Sequence, residues 1–352
     1  MSLSERDVTA GPPWDRPFHG QLDKLVVESE LLAGNPLADP AHRPLWIYLP
    51  PGVERDHPKP LPSVYVIQGY TGQLDMWANR VPFEPTFLER LDHMFAIGGC
   101  PDAIVVMVDA WTSYGGSQFV DSSSTGPYMS YLCDEVVPFV DARYPTLADR
   151  DHRGLSGKSS GGYGAMVVPM LRPEVFGALA SHAGDALFEA CYARDFPSAA
   201  RVLRDDFEGS YEVFFERLAA ADHFEFARAG KPLEVYGYAA CYSPDPAAPG
   251  KALLPFDIDT GRRVDEVWER WLEWDPVRMA PVHADALRSM RRIYLDAGRS
   301  DEYFLDLGAT AFAQQVEHAG AQCTLELFDG AHGGLTYRYP GAIRELVLAL
   351  AP

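Results

Sequence analysis

The sequence predicts an α/β fold: a mostly parallel central sheet covered by helices, with a helical and loop insertion over one end of the sheet. Three observations predict it. Short runs that are almost wholly apolar and rich in β-branched residues, such as SVYVI and AIVVMV, recur along the chain, as strands buried on both faces require. Segments with helical spacing alternate with them, which implies a parallel sheet with helical crossovers. The alternation then breaks between about residues 186 and 290, where Trp and Tyr are plentiful and a Pro-rich loop, YSPDPAAPGKALLPFD, interrupts the pattern.

In chain order, residues 1–20 are rich in Pro and charge and read as a loose leader, so the domain is expected over 21–352. LDKLVVESELL (22–32) alternates partially and suits an opening strand. PLWIYLPPG (44–52) is a second strand stopped by two prolines. SVYVIQGYTG (63–72) and AIVVMVDAW (103–111) are buried strands, the first ending in glycines. MSYLCDEVVPFVDARY (129–144) has helical spacing and contains Pro138, which predicts a kinked helix. FGALASHAG (176–184) and RRIYLDAG (291–298) are further strands. VDEVWERWLEW (264–274) is a helix within the insertion. AFAQQVEHAG is a helix with a Gly stop, CTLELFDG a last strand and GAIRELVLALA a closing helix.

At 352 residues the chain is long enough for a large core, and 47% hydrophobic with 23% charged is an ordinary globular composition. A formal charge of −20 opposes binding to nucleic acid and to anionic membrane surfaces. The five cysteines are widely spaced, with no CxxC pair, so neither a disulfide framework nor a zinc site is expected. The amino terminus lacks the apolar core of a signal peptide, and no stretch approaches the ~20 apolar residues of a membrane span. A cytoplasmic location is the expectation. The oligomeric state is left open.

The chemistry centres on Gly157-Lys158-Ser159-Ser160-Gly161, a G-x-S-x-G pattern followed by Gly162 and Gly164. A serine on a sharp strand-to-helix turn needs neighbours without side chains, and that turn lifts its hydroxyl clear of the sheet. The same residues end a phosphate-loop pattern, but that pattern demands glycine at 152, where this chain has His152. Ser159 is therefore the candidate nucleophile of an α/β-hydrolase.

A serine hydroxyl needs an imidazole within reach, and in that fold the order is Ser, then acid, then His, each on a loop after a strand. His332 follows CTLELFDG, is flanked by Ala331, Gly333 and Gly334, and precedes the closing helix. His318 falls in a helical pattern, and His182 ends a strand as a structural or pocket-lining residue. The acid is expected in the loop after RRIYLDAG, where Asp301 is the candidate and Glu302 the second choice; Asp296 lies inside the strand. The backbone N–H groups of Ser160 and Tyr70 are the expected oxyanion donors, with Thr71 as an alternative in the turn Gln68-Gly69-Tyr70-Thr71-Gly72. Thr71, Trp111, Tyr114 and His182 are candidate pocket residues. The insertion, packed on the sheet near this site, is where substrate choice is expected to be made.

Read together, DPAHRPLWIYLPPGV, QGYTG, DEVVPFVDARYPT, GKSSGGYGA, DAGRSDEY and FDGAHGG resemble the esterase D or "putative esterase" family, which is similar to enterochelin esterases, S-formylglutathione hydrolases, feruloyl esterases and mycolyltransferases. The resemblance implies an α/β-hydrolase fold and acyl-enzyme chemistry on a small-molecule ester or thioester, without metal or cofactor, with Ser159, Asp301 and His332 as triad. Two departures stand out: Gln68-Gly69 where relatives often have His-Gly, and Lys158 where they often have Leu, His or Phe. An acyltransferase would use the same triad, and a binding protein on the same fold would have no need of it.

Overall fold

The computed structural model describes residues 17–352. Residues 1–16 of the expected leader lie outside it. Its last residues are tied down: the N–H groups of His19 and Gly20 donate to the buried carboxylate of Asp92, and Phe18 packs edge-on against Tyr48.

Eight strands form the central sheet: β1 (Gln21–Glu28), β2 (His42–Leu49), β3 (Ser63–Ile67), β4 (Ile104–Val108), β5 (Arg153–Lys158), β6 (Ala178–His182), β7 (Arg292–Gly298) and β8 (Thr324–Phe328). Their order is β1-β2-β4-β3-β5-β6-β7-β8; β2 runs antiparallel to both its neighbours and every other pairing is parallel. Nine helices of seven residues or more are described: α1 (Phe87–Ala96), α2 (Ser160–Leu171), α3 (Phe196–Asp206), α4 (Tyr211–Ala220), α5 (Phe226–Tyr242), α6 (Asp265–Leu272), α7 (Pro276–Val282), α8 (Leu305–His318) and α9 (Tyr339–Leu350).

Side-chain alternation in the strands feeds two faces. Val64 and Val66 of β3 pack with α1 and α9 on one side. Tyr65 and Ile67 of the same strand point the other way, toward α2 and the helical run over residues 128–141. That run holds a widened π-helical turn over Tyr131–Val136, in which the Val137 N–H reaches the Leu132 carbonyl. Pro138 has no N–H to continue the regular ladder, so the expected kink takes the form of a π-turn just ahead of it.

Helices α3 to α7 lie between β6 and β7. Their interior is aromatic: Trp268 and Trp271 are buried against Phe196 and Tyr242, and the Trp271 indole N–H donates to Ser243 Oγ at 2.9 Å. These residues share one continuous apolar cluster with Leu179 of β6 and with Ile293, Leu295 and Ala297 of β7. Asp275 is fully buried and caps α7, while also accepting the N–H groups of Leu187 and Phe188 just after β6. The α3–α7 region is thereby bound to the sheet by apolar packing and by a shared carboxylate. Parallel β5 to β8 all end at one edge, and the loops leaving that edge build the site.

Candidate active site

Ser159 occupies the turn between β5 and α2 with φ 57° and ψ −126°. This is the left-handed region that a side chain adopts only when its surroundings impose it. The surroundings do so. The Ser159 N–H donates to the His182 carbonyl at the end of β6, and its carbonyl accepts the first N–H bond of α2 from Tyr163. A Cβ on Gly157 would lie 2.4 Å from the Gly161 carbonyl oxygen, and one on Gly161 would lie 2.4 Å from the Ile67 carbonyl oxygen. Both glycines are demanded by the closeness of β3, β5 and α2.

Three side chains far apart in the chain meet here. His332 Nε2 lies 3.1 Å from Ser159 Oγ, and His332 Nδ1 lies 2.9 Å from Asp301 Oδ2. Asp301 leaves β7 in a tight turn and receives the Tyr303 N–H on its other oxygen, which fixes the carboxylate. Glu302 does not reach the imidazole; it accepts the backbone N–H of His332 at 2.9 Å and so anchors the loop after β8. The Tyr303 ring covers His332 edge-on at 4.8 Å.

The turn after β3 lies against the serine: a Cβ on Gly69 would be 2.9 Å from the Lys158 carbonyl and 3.2 Å from Ser159 Cβ. The Thr71 N–H is spent on the Gly115 carbonyl at 2.7 Å. The Tyr70 hydroxyl is 2.6 Å from the Tyr114 carbonyl and 2.9 Å from the Leu233 carbonyl, joining this turn to α5. Ser160 begins α2, where N–H groups of the first turn have no partner within the helix.

A cavity of about 350 Å³ opens over Ser159 and is lined by Gln68 to Gly72, Lys158, His332 and Leu335 among others. Thr71 is one of its lining residues; Trp111, Tyr114 and His182 are not. Trp111 borders a small cleft behind Tyr70. Tyr114 turns away from the serine, with its ring against Phe215 and Tyr236 and its hydroxyl donating to the Gly250 carbonyl. His182 is fully buried beneath the elbow, 2.7 Å from Asp296 and tilted against the Tyr339 ring. It supports the turn through its backbone carbonyl and offers no surface to a substrate.

The sequence reading missed the far wall of the cavity. Asp185, in the loop after β6, and Glu234 and Tyr238, on α5, all line it. Asp185 Oδ2 accepts from Tyr192, Ser160 and Gln118, and burial, only partly offset by Tyr192, pushes its carboxyl up. Glu234 pairs with Lys231, yet burial raises it as well. Burial also lowers the ammonium of Lys158, against the opposing field of Asp301, Asp185 and Glu302. A carboxylate directly after a Gly at a strand end (AGDA) was a signal that could have drawn attention to Asp185. Among the described residues, no group of three or more His, Cys, Asp or Glu side chains could hold a metal ion, and no helix is long and apolar enough to cross a membrane.

Comparison with known proteins places these features in a family. The endo-1,4-beta-xylanase/feruloyl esterase of Xylanibacter ruminicola is 25% identical over 162 residues, which is 45% of this chain and 21% of that protein. The Bacillus subtilis protein YbbA is 27% identical over 165 residues, 46% of this chain and 61% of that protein. The chain thus covers under two thirds of the length of either relative. Among solved structures, a ferulic acid esterase superposes with a TM-score of 0.58 at 18% identity, covering 95% of this chain and 98% of its own. An S-formylglutathione hydrolase from Agrobacterium tumefaciens gives 0.57 at 16% identity, covering 96% and 98%. These likenesses show a shared α/β-hydrolase fold. The model of the family described as "Putative esterase" matches residues 40–339, and the chain belongs to that family.

Proposed function

We propose that the protein is a serine carboxylic ester hydrolase that also suits thioesters, working through an acyl-enzyme on Ser159. The observation that carries this reading is the chain of two contacts, Asp301 to His332 to Ser159, at the mouth of a cavity. Family membership supports the same reaction class.

In the proposed cycle Ser159 Oγ attacks the carbonyl carbon while its proton passes to His332 Nε2. Asp301 accepts the Nδ1–H bond, which holds the ring tautomer and stabilises the imidazolium. The oxyanion receives the N–H groups of Ser160 and Tyr70. Tyr70 is preferred to Thr71 because the Thr71 N–H already has an acceptor. His332 then gives its proton to the departing alkoxide or thiolate. A water, deprotonated by the same nitrogen, releases the acid and restores the serine.

The test is hydrolysis of a short p-nitrophenyl ester by the wild type and by Ser159→Ala, His332→Ala and the double variant. Each single change is expected to cost ~10⁴–10⁶ in kcat, with little added by the second, because the groups act as a unit. Additive losses, or a wild type that neither turns over nor is labelled by a fluorophosphonate, would overturn the reading. Product analysis with a competing acceptor alcohol separates hydrolysis from acyl transfer.

A further inference from the structure

The cavity has two unlike sides. Met76, Trp77, Val81, Phe87, Leu335 and Tyr339 give one arm its apolar surface, interrupted by Asn79, Glu84 and Thr86, whereas the wall contributed by the loop after β6 and by α5 carries Asp185 and Glu234. These two carboxylates are only 3% and 6% exposed. Each is half-satisfied: the hydrogen bonds to Asp185 all fall on Oδ2, and the Lys231 contact to Glu234 falls on Oε2. Oδ1 of Asp185 and Oε1 of Glu234 accept no hydrogen bond from any described residue. Lys231 is shared with a third carboxylate, Asp195. Neither oxygen is sealed from solvent, so each can accept a hydrogen bond from a group in the cavity.

Resting on the esterase reading above, we propose that Asp185 and Glu234 form a subsite that selects esters bearing an organic ammonium group. Tyr238 lines the same wall, with its ring packed against Tyr70 and Tyr192. A carboxylate-bearing ester would meet Asp185 and Glu234 there, the second already paired with Lys231, and would be disfavoured. The lysine on the cavity lining, Lys158 next to the nucleophile, opposes this preference, and burial draws its ammonium below the usual lysine range.

Two matched pairs test this. Acetylcholine and 3,3-dimethylbutyl acetate differ by a quaternary nitrogen on the alcohol side. p-Nitrophenyl 6-aminohexanoate and heptanoate differ by a terminal ammonium on the acyl side. The cationic member of at least one pair should be favoured ~10-fold in kcat/KM, a factor equivalent to one tenfold step in affinity. Asp185→Asn and Glu234→Gln should each move that ratio toward one. The ratio is informative whatever a variant does to the shared chemical step, and either variant alone suffices if the other fails to fold.

A ratio near or below one in both pairs, or one that both variants leave unchanged, overturns the subsite while leaving the esterase reading intact. So does faster hydrolysis of p-nitrophenyl hemisuccinate than of the pentanoate, which would hand selectivity to Lys158. Failure of all these esters, with no fluorophosphonate labelling, sinks the parent reading and the subsite with it.

Discussion

His332 is held by two different acidic residues, and they do different work. Asp301 faces the ring nitrogen; Glu302 holds only the backbone. Asp301→Asn should therefore lower kcat by ~10⁴, since the amide favours the wrong imidazole tautomer. Glu302→Gln should cost far less; steady-state rates on one ester compare the two, and the reverse order would move the acid by one position. A second Asp–His pair, Asp296 with His182, lies under the elbow and also binds Arg338 at 2.9 Å. Burial raises Asp296, but the charges and hydrogen bonds of His182 and Arg338 outweigh it and hold the carboxyl below its usual 3.8. A depressed carboxyl stabilises the fold above its ordinary pKa, and that contribution fades as pH falls through the lowered value. Asp296→Asn should thus cost ~3–5 kcal/mol near neutral pH, the usual loss for breaking a buried pair. The gap from wild type should narrow below about pH 4, as urea titrations across pH would show. The candidate triad was legible in the sequence because strand-loop order restricts each member to one loop. His182, expected to be structural or pocket-lining, takes the first of these places: the end of a strand does not reveal which way its last side chain points, and this one points into the core.

Strands β3 and β4 announce themselves by β-branched runs, but β5, RGLSGK, does not. Its small residues answer to neighbours rather than to propensity: a Cβ on Gly154 would press Leu350 at 3.0 Å, and Gly157 sits against α2. Gly161→Ala is expected to abolish folding or activity, because its Cβ would strike the backbone oxygens of both Ile67 and Gln68; soluble yield and circular dichroism would report which. The loop after β4, which carries the candidate pocket residues Trp111 and Tyr114, folds back under α5 and leaves both outside the lining of the cavity over Ser159. In α6, Trp271 is wholly buried, and Trp271→Ala should cost ~3–5 kcal/mol by denaturant titration. It also frees Ser243 Oγ and loosens the base of α5, so KM for esters that reach Glu234 should rise with the loss of stability.

Across the molecule, one apolar cluster joins α3–α7 to β6 and β7, from which a single cooperative unfolding unit is expected. Thermal unfolding followed by Trp fluorescence, which reports α6, and by far-ultraviolet circular dichroism should give coincident transitions; separated ones would mean that the insertion unfolds alone. The charge of −20 repels itself, so raising ionic strength to about 0.15 M, where the screening length is ~8 Å, should raise the melting temperature. The chain marks Asp185 by its place after a strand-end glycine, but the pairing of Asp185 with Glu234 in one wall is not legible in it. Asp185 and Glu234 come from a loop and a helix that only the packing of the insertion brings side by side.

The parallel pairing of β6, β7 and β8 carries a consequence for engineering. Adjacent residues on a strand are spaced ~3.3 Å apart, so a slip of one residue displaces a loop by about as much as the 3.1 Å that separates imidazole from hydroxyl. Inserting or deleting a single residue within β7 would thus keep every member of the candidate triad in the sequence and yet pull Asp301 out of line. Lengthening surface turns at the opposite edge, by contrast, leaves that alignment untouched.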